Sequence, residues 1–509
     1  MTGNKNNSRI AKNTILLYAR QLLIMLVSLY TSRVVLHVLG VTDYGIYNVV
    51  SGVVTMLSFV TGTMASATQR YLAYDLASGD AVKLKETFGL IMLTYIMLAI
   101  ITVLLMESVA VWFLNKKMTI PAERLYEANW VLQFAALTFI VHVFAAPYLS
   151  AIIAHEQMGA YAYVSIAEVV LKLLMVLLLQ TIPYDRLILY SILMFVSSLI
   201  ITLCYKFYCN RNFPESRFKF YFNLKRFKEM TAFAWWNMIG SLANVLRSQG
   251  INVLLNLFFN PTVNAARGIA YQVNSAITSF SSNFYTAVKP QIIKSYASGE
   301  NTRMRQLIVS SSKLAFFLLL FISMPIELNS QFVMNLWLVE PPEYASLFVR
   351  IILLNALVEV FSLPLTSGLQ ATGNIKYLQL SVSIIYLLNI PISYVFLKLG
   401  FAPETPMIVN LVLVVIALVP RLLLCNRYYN LSIKRYFFDV LVRVWAVALA
   451  CYVIGRYLYG DSTDTLLGFA LRTVVLWIII VVFALLFGLS SRERKMAVGL
   501  IKSIKDRIS

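Results

Sequence analysis

The chain has 509 residues, of which 59% are hydrophobic and only 13% charged, and its formal net charge is +20. One water-soluble core cannot bury that much apolar side chain, so a soluble globular protein is excluded and lipid must serve as solvent. Nucleic-acid binding does not explain the charge, because lysine and arginine collect at the ends of apolar runs, where topology and anionic head groups use them.

Crossing a bilayer takes about 20 mostly apolar residues, and runs of that kind follow one another from Ile15 to Leu489. They predict fourteen helices, at 14–37, 44–66, 87–113, 127–153, 160–181, 187–208, 232–258, 264–288, 307–328, 346–370, 377–397, 407–425, 441–458 and 466–488. The first run is longer than a signal-peptide core and lacks a small-residue cleavage pattern, so it reads as a retained span. Cys204, Cys209, Cys425 and Cys451 show neither disulfide nor zinc-site spacing and read as packing residues. No Gly-rich phosphate loop or metal-ligand cluster interrupts the spans, so neither cofactor nor metal is expected.

The loop 206–230 carries seven Lys and Arg residues, and the other loops on its side and the tail are also basic. Opposite lie only Lys116, Lys117, Arg124, Arg186, Lys398 and Arg456. By the positive-inside rule both termini are cytoplasmic.

The two halves of the sequence match each other. Ala77-Ser78-Gly79-Asp80 recurs as Ala297-Ser298-Gly299-Glu300, an offset of 220. The Phe144, Pro147, Ser150, Ala154 pattern recurs as Phe361, Pro364, Ser367, Ala371, an offset of 217, and Cys209-Asn210-Arg211 as Cys425-Asn426-Arg427, an offset of 216. Collinear matches at one place in the span count predict a duplication. Residues 1–209 then form a six-helix lobe, 210–230 a cytoplasmic basic linker, 231–430 a second six-helix lobe, and 431–509 two more helices with a basic tail. An even span count keeps both copies in one orientation. The expected fold class is therefore all-α and polytopic, with about fourteen transmembrane helices in two bundles related by a pseudo-two-fold axis, plus two C-terminal helices. Transporters rock such bundles around a central site; a passive scaffold is the plainer alternative.

Two spans carry polar faces. In the eighth, Asn264, Arg267, Tyr271, Asn274, Thr278, Ser281 and Tyr285 recur at three- or four-residue spacing. The seventh repeats the design with Asn237, Ser241, Asn244, Ser248 and Asn252, and Arg247 stands beside that stripe. Such Ser and Asn side chains either glue helices together or line a cavity. An arginine at mid-membrane costs at least about 2.5–3.5 kcal/mol, so it faces water, a counter-charge or an anionic ligand. In the repeat register Arg20 corresponds to Gly240, which puts Arg247 two turns along nearly the same face, looking into one central cavity from the opposite lobe. Arg33, nearer the outer end, reads as an interfacial anchor, and Glu168 with Lys172 as a self-neutralising pair. For ion coupling the candidates are Glu359, on a polar face of the tenth span, and its repeat counterpart His142. Glu359 reads equally as a hydrogen-bonded carboxylate that only stabilises the bundle. Pro147 and Pro364 predict kinks at matching places.

The run Ser32-Arg33-Val34-Val35-Leu36, then Leu39-Gly40, Asp43-Tyr44-Gly45-Ile46-Tyr47, Gln69-Arg70-Tyr71-Leu72 and Ala77-Ser78-Gly79-Asp80 resembles polysaccharide-repeat-unit flippases. These belong to the multidrug/oligosaccharidyl-lipid/polysaccharide exporter superfamily, whose two six-helix lobes match the duplication. The resemblance implies an inner-membrane flippase that moves an undecaprenyl-pyrophosphate-linked oligosaccharide to the periplasmic leaflet for O-antigen or capsule synthesis, with possible coupling to H+ or Na+. Related flippases hold the pyrophosphate with cavity arginines, and Arg20, Arg247 and Arg267 suit that role, with Asn244, Tyr271 and Asn274 beside them. The alternatives are a multidrug/cation antiporter, a peptidoglycan-precursor flippase, and a membrane glycosyltransferase or polymerase. An enzyme of the last kind needs a sizeable catalytic loop, which the short outer loops do not provide.

Overall fold

Polar groups cannot go unpaired in lipid, so a chain this apolar has to close its backbone hydrogen bonds within each span. The computed structural model describes the backbone of residues 2–155, 157–338, 340–372, 376–460, 465–490 and 493–494. Side chains are described within those ranges except at 2–22, 59, 66, 70, 73, 74, 77, 78, 158, 232–241, 244, 283, 286, 287, 290, 294 and 297. Among the described residues every regular element is helical, and eleven helices are long and apolar enough to cross a membrane. The chain is a polytopic all-α membrane protein. It divides into two contact units, residues 1–268 with 338–343 and 393–403, and residues 269–337 with 344–392 and 404–509.

The first unit opens with α1 (Thr2–Thr55), broken at Gly40, whose φ of 75° admits only glycine comfortably. The expected loop between the first two spans is therefore a single-residue joint. The second span goes on into α2 (Ser58–Ser78), twelve residues past its expected end at 66. Next come α3 (Ala81–Leu105), running through one π turn into α4 (Val111–Lys116), then α5 (Leu125–Ala154), α6 (Met158–Leu178) and α7 (Arg186–Asn212). The helices α8 (Leu224–Phe258) and α9 (Pro261–Ala297) overrun the predicted spans. At about 1.5 Å per residue they reach roughly 50 Å, beyond the hydrocarbon, where hydropathy does not follow them.

The second unit takes the rest of α9, then α10 (Asn301–Leu328), α11 (Ser330–Trp337), α12 (Ala345–Glu359), α13 (Ser362–Ala371) and α14 (Lys376–Leu387). After α15 (Asn389–Lys398) come α16 (Thr405–Tyr429), α17 (Ile433–Tyr436), α18 (Arg443–Tyr459) and α19 (Leu466–Phe483).

The repeated motifs turn out to be joints. Gly79 closes α2 in a left-handed conformation, φ 72°, and Asp80 caps α3 by accepting from the amides of Val82 and Lys83 at 3.1 and 3.0 Å. In the second copy Gly299 repeats the turn at φ 74°, while Glu300, too long for that cap, pairs with Arg303 at 3.2 Å. The repeated cysteines also do one job. Cys209 donates to the carbonyl of Tyr148 and Cys425 to that of Leu365, each tying a later helix of its copy to the proline-bearing one. The prolines differ: α5 runs unbroken through Pro147, whereas α12 ends at Glu359 and α13 starts at Ser362, near the carbonyl of Val360 that Pro364 cannot reach with a donor.

The basic segment after α7 is packed against the first unit rather than strung out as a loop. Phe213 stacks on His155 with ring centroids 3.9 Å apart, and His155 meets Glu215 at 2.5 Å. The carbonyl of Lys219 lies so close to Gly89 that a Cβ there would sit 2.3 Å from it. Arg226, in the first turn of α8, pairs with Asp75 of α2, a fully buried carboxylate that also accepts from Thr87 at 2.5 Å and lies 3.6 Å from Lys83.

In the second unit Lys313, 2% exposed on α10, finds its counter-charge beyond the last span, in Glu493 at 3.1 Å. Glu493 also accepts from Ser310 at 2.7 Å and from the amide of Ser490 at 2.7 Å. Burial alone raises a carboxyl's pKa, but those hydrogen bonds and Lys313 outweigh it and hold Glu493 below the ordinary 4.5. With the folded pKa depressed, this stabilisation is complete above about 4.5 and is lost as pH falls through the lower folded value. Glu493→Gln leaves Lys313 buried and unpaired, and is expected to cost about 3–5 kcal/mol. Thermal unfolding of the purified protein checks this. Unfolding of the variant should lose the acid-side dependence, and the double variant Glu493→Gln, Lys313→Met should recover most of the loss.

Candidate functional site

The polar faces read from the sequence fall on the α8–α9 hairpin. Pro261 starts α9 with the fixed φ a first helical turn needs, and the side chain of Asn260 accepts from the amide of Val263 at 3.3 Å. The two helices are zipped by their own polar residues. Asn264, fully buried, donates to the backbone and side-chain oxygens of Asn252 at 2.7 and 2.8 Å. One turn along α9, Arg267 donates to the carbonyl of Ser248. That contact brings Arg267 beside the turn that carries Arg247, which is half-buried, so two guanidinium groups are held on adjoining turns of one hairpin.

The part of this hairpin near its turn packs closely on the second half of α1. A Cβ on Gly45 would lie 1.9 Å from the carbonyl oxygen of Pro261, and one on Gly52 2.7 Å from the amide nitrogen of Asn252. Asn252 donates to the carbonyl of Asn48 at 3.2 Å, and Asn256 exchanges hydrogen bonds with the backbone of Thr119 at 3.0 and 3.1 Å. Between the two readings of these small polar residues, Asn252, Asn256 and the amide donor of Asn264 are glue, while Asn264 Oδ1 is buried without a hydrogen-bond partner among the described residues.

Further along α9 the polar face has a different character. Tyr271 and Asn274 are half-buried, and Asn274 Oδ1, Ser281 Oγ and Tyr285 Oη are buried without a hydrogen-bond partner among the described residues. Thr278, on the same face, returns its hydroxyl to the carbonyl of Asn274 at 2.7 Å. Each unmet buried polar group costs about 1–3 kcal/mol. Three on one helical face mark a surface built to meet water or a polar ligand.

The side chains of Arg20 and Asn244 lie outside the described residues. Glu359, half-buried, ends α12 in the second unit, and His142, exposed on α5, belongs to the first, with Ser198 Oγ 3.4 Å from its ring. Glu168 and Lys172, near His142, form an ion pair at 2.6 Å, and Arg33 is exposed. Sequence reasoning missed four charged groups. Asp75, the Lys313–Glu493 pair and Arg421 are buried; Arg421 donates to Tyr386 Oη at 3.1 Å and to the carbonyl of Ala417 at 3.2 Å. Arg421 and Lys313 stand inside apolar runs and were visible as charges there, whereas nothing local marks Glu493 as a partner.

The profile of the polysaccharide biosynthesis protein family matches residues 10–296, and the MatE profile matches residues 238–395. No curated protein sequence matches the chain. Among solved structures, the lipid II flippase MurJ in an inward closed conformation superposes with a TM-score of 0.71 at 12% identity, covering 93% of this chain and 98% of that one. An inward-facing multidrug resistance MATE family transporter of the MOP superfamily gives 0.65 at 13% identity, covering 81% and 99%. The MATE multidrug transporter DinF-BH gives 0.60 at 14%, covering 82% and 96%. At these identities the likeness concerns the fold.

Proposed function

The chain belongs to the polysaccharide biosynthesis protein family of the multidrug/oligosaccharidyl-lipid/polysaccharide exporter superfamily, and from that premise we propose that it is a flippase for polyprenyl-pyrophosphate-linked oligosaccharide repeat units. It moves them from the cytoplasmic to the periplasmic leaflet of the inner membrane for O-antigen or capsular polysaccharide synthesis. The observation that carries this reading is the pair Arg247 and Arg267 on adjoining turns of the α8–α9 hairpin, followed on α9 by the polar face from Tyr271 to Tyr285. A pyrophosphate entering a low-dielectric site loses its hydration, and fixed guanidinium groups replace it with charge-assisted, often bidentate hydrogen bonds. Hydroxyls and amides along the rest of the face suit the sugars.

Arg20, from the first sequence copy, completes the anion site in this reading, and two six-helix lobes, 1–209 and 231–430, alternate access around it. The MatE match favours a second reading, a multidrug antiporter of the same fold. An organic cation calls for exposed carboxylates, and a hairpin that presents arginines supports an anion instead. A peptidoglycan-precursor flippase shares the pyrophosphate head and differs only in sugar contacts.

Arg20→Ala and Arg247→Ala are each expected to slow flipping at least about tenfold, since a charge-assisted hydrogen bond is worth about 1.5–3 kcal/mol. The lysine variants, which keep charge but lose the planar fork, should retain part of the rate. Purified variants in liposomes with a lipid-linked repeat unit supply the measurement, and wild-type rate and affinity in both alanine variants would sink the pyrophosphate site. Glu359→Gln, which removes charge and keeps shape, is expected to abolish the dependence of flux on pH or sodium. Flux that keeps the wild-type dependence would make Glu359 structural. For orientation, single cysteines at exposed positions between 217 and 225 should escape an impermeant maleimide in intact cells, and strong labelling there would reverse the topology.

A further inference from the structure

The stretch of the first unit that joins α7 to α8 is basic, yet it also carries an aromatic face. Phe218, Phe220 and Phe222 alternate there with Arg217, Lys219 and Tyr221. The stretch is not helical, and its end residues Arg217 and Asn223 have extended backbone, in which alternate side chains share a side. Burial follows that alternation for the rings. Tyr221 is half-buried against the core of the unit, whereas Phe218, Phe220 and Phe222 are 49%, 69% and 46% exposed. Arg217, Lys219 and Lys225 are exposed beside them. Single exposed apolar residues need no explanation, but three large rings in five residues form a patch that calls for a partner.

The other side of the stretch is fastened to the bundle. Phe213 stacks on His155 before it, and Arg226 pairs with Asp75 after it. Between them the carbonyl of Lys219 lies 2.3 Å, and Tyr221 Cβ 3.4 Å, from where a Cβ on Gly89 would stand. Phe222 keeps a ring contact with Phe227, 5.9 Å between centroids. Turning the aromatic face inward would break these contacts. Gly89 also sets the depth. It lies eight residues into α3, about 12 Å from the start of that helix at about 1.5 Å per residue. Lys83, Lys85 and Glu86 precede it, and the apolar run of the span begins around it. The stretch therefore lies where hydrocarbon gives way to head groups.

We propose that residues 217–225 are a docking surface for anionic phospholipid: the phenylalanine rings enter the membrane interface, and Arg217, Lys219 and Lys225 meet the head-group phosphates. Rings and cations in one short stretch match an interface that is apolar below and negatively charged above. The same stretch runs into α8, so docking ties the entry of the helix that carries Arg247 to the membrane plane, while Arg226 ties it to α2. The inference rests on the proposed orientation only in naming the leaflet cytoplasmic.

The test places a nitroxide on Phe220→Cys in the full chain carrying Cys204→Ser, where the three other cysteines are buried. The chain is held in nanodiscs of phosphatidylcholine, with and without phosphatidylglycerol. Electron paramagnetic resonance compares collisions of the label with oxygen, which concentrates in lipid, and with a water-soluble nickel chelate. Oxygen should prevail, and phosphatidylglycerol should increase its excess. The triple variant Arg217→Gln, Lys219→Gln, Lys225→Gln, changed at exposed side chains alone, should lose that increase. Each cation removed weakens attraction to an anionic surface about fivefold, and three together about a hundredfold. Phe218→Ser should move the label toward water in pure phosphatidylcholine. Nickel prevailing in both lipid mixtures overturns the proposal and leaves the face to a protein partner. A phosphatidylglycerol effect of full size in the triple variant overturns the anionic-lipid assignment. Both leaflets of a nanodisc have one composition and no cargo is present, so a failure here is separate from a failure of the flippase reading.

Discussion

Hydrocarbon offers no partner to a charge or to a free amide, and that single constraint decides where this chain spends its few polar residues. Several buried charges are met by others brought from a distance in sequence. Lys313 meets Glu493 across 180 residues, and Asp75 meets Arg226 across 151. Carbonyls and hydroxyls also accept from buried guanidinium groups, as they do for Arg421 and Arg267. Once those demands are met, the helices can pack by shape, and glycines such as Gly45 and Gly89 let backbones approach where a methyl group would collide. Packing by small residues is the usual means of joining helices when lipid is as apolar as the side chains it replaces.

Duplication was legible because it left chemistry behind as well as letters. The turn at Gly79 and its copy at Gly299 share a left-handed φ, and the thiol-to-carbonyl contacts of Cys209 and Cys425 fall at one place in both copies. Divergence is equally physical. Asp80 is short enough to cap its helix and Glu300 is not, and the helix that carries Pro364 is broken where the one that carries Pro147 is continuous. The two copies thus keep their joints and differ in stiffness.

Hydropathy located most spans, since an apolar run of the right length has few other fates. It misjudged the ends of α2, α8 and α9, because helices extend into water on hydrogen bonding alone, and it treated the basic segment 210–230 as a loop defined by charge. What fixes that segment is aromatic and ionic contact of Phe213, Glu215 and Arg226 with residues far away in sequence. The polar stripe on α9 was legible as a stripe. That Asn264 binds the neighbouring helix through its amide donor while buried oxygens at Asn264, Asn274, Ser281 and Tyr285 stay unmet was not, because the difference lies in what the neighbouring helix presents.

The bond between Lys313 and Glu493 has a consequence for synthesis. A ribosome making about 5–20 residues per second reaches Glu493 roughly 9–36 s after Lys313, since 180 residues separate them. During that interval the ninth span carries a cation without its final counter-charge, and several later spans must be inserted before relief arrives. The helix therefore spends its early life beside the insertion machinery or at the water boundary, because full exposure to lipid is costly. Completion of the second unit is thereby tied to a residue made 180 positions after Lys313, so a polypeptide released before Glu493 keeps an uncompensated lysine in a membrane span, a mark by which cellular quality control can tell an unfinished copy from a finished one.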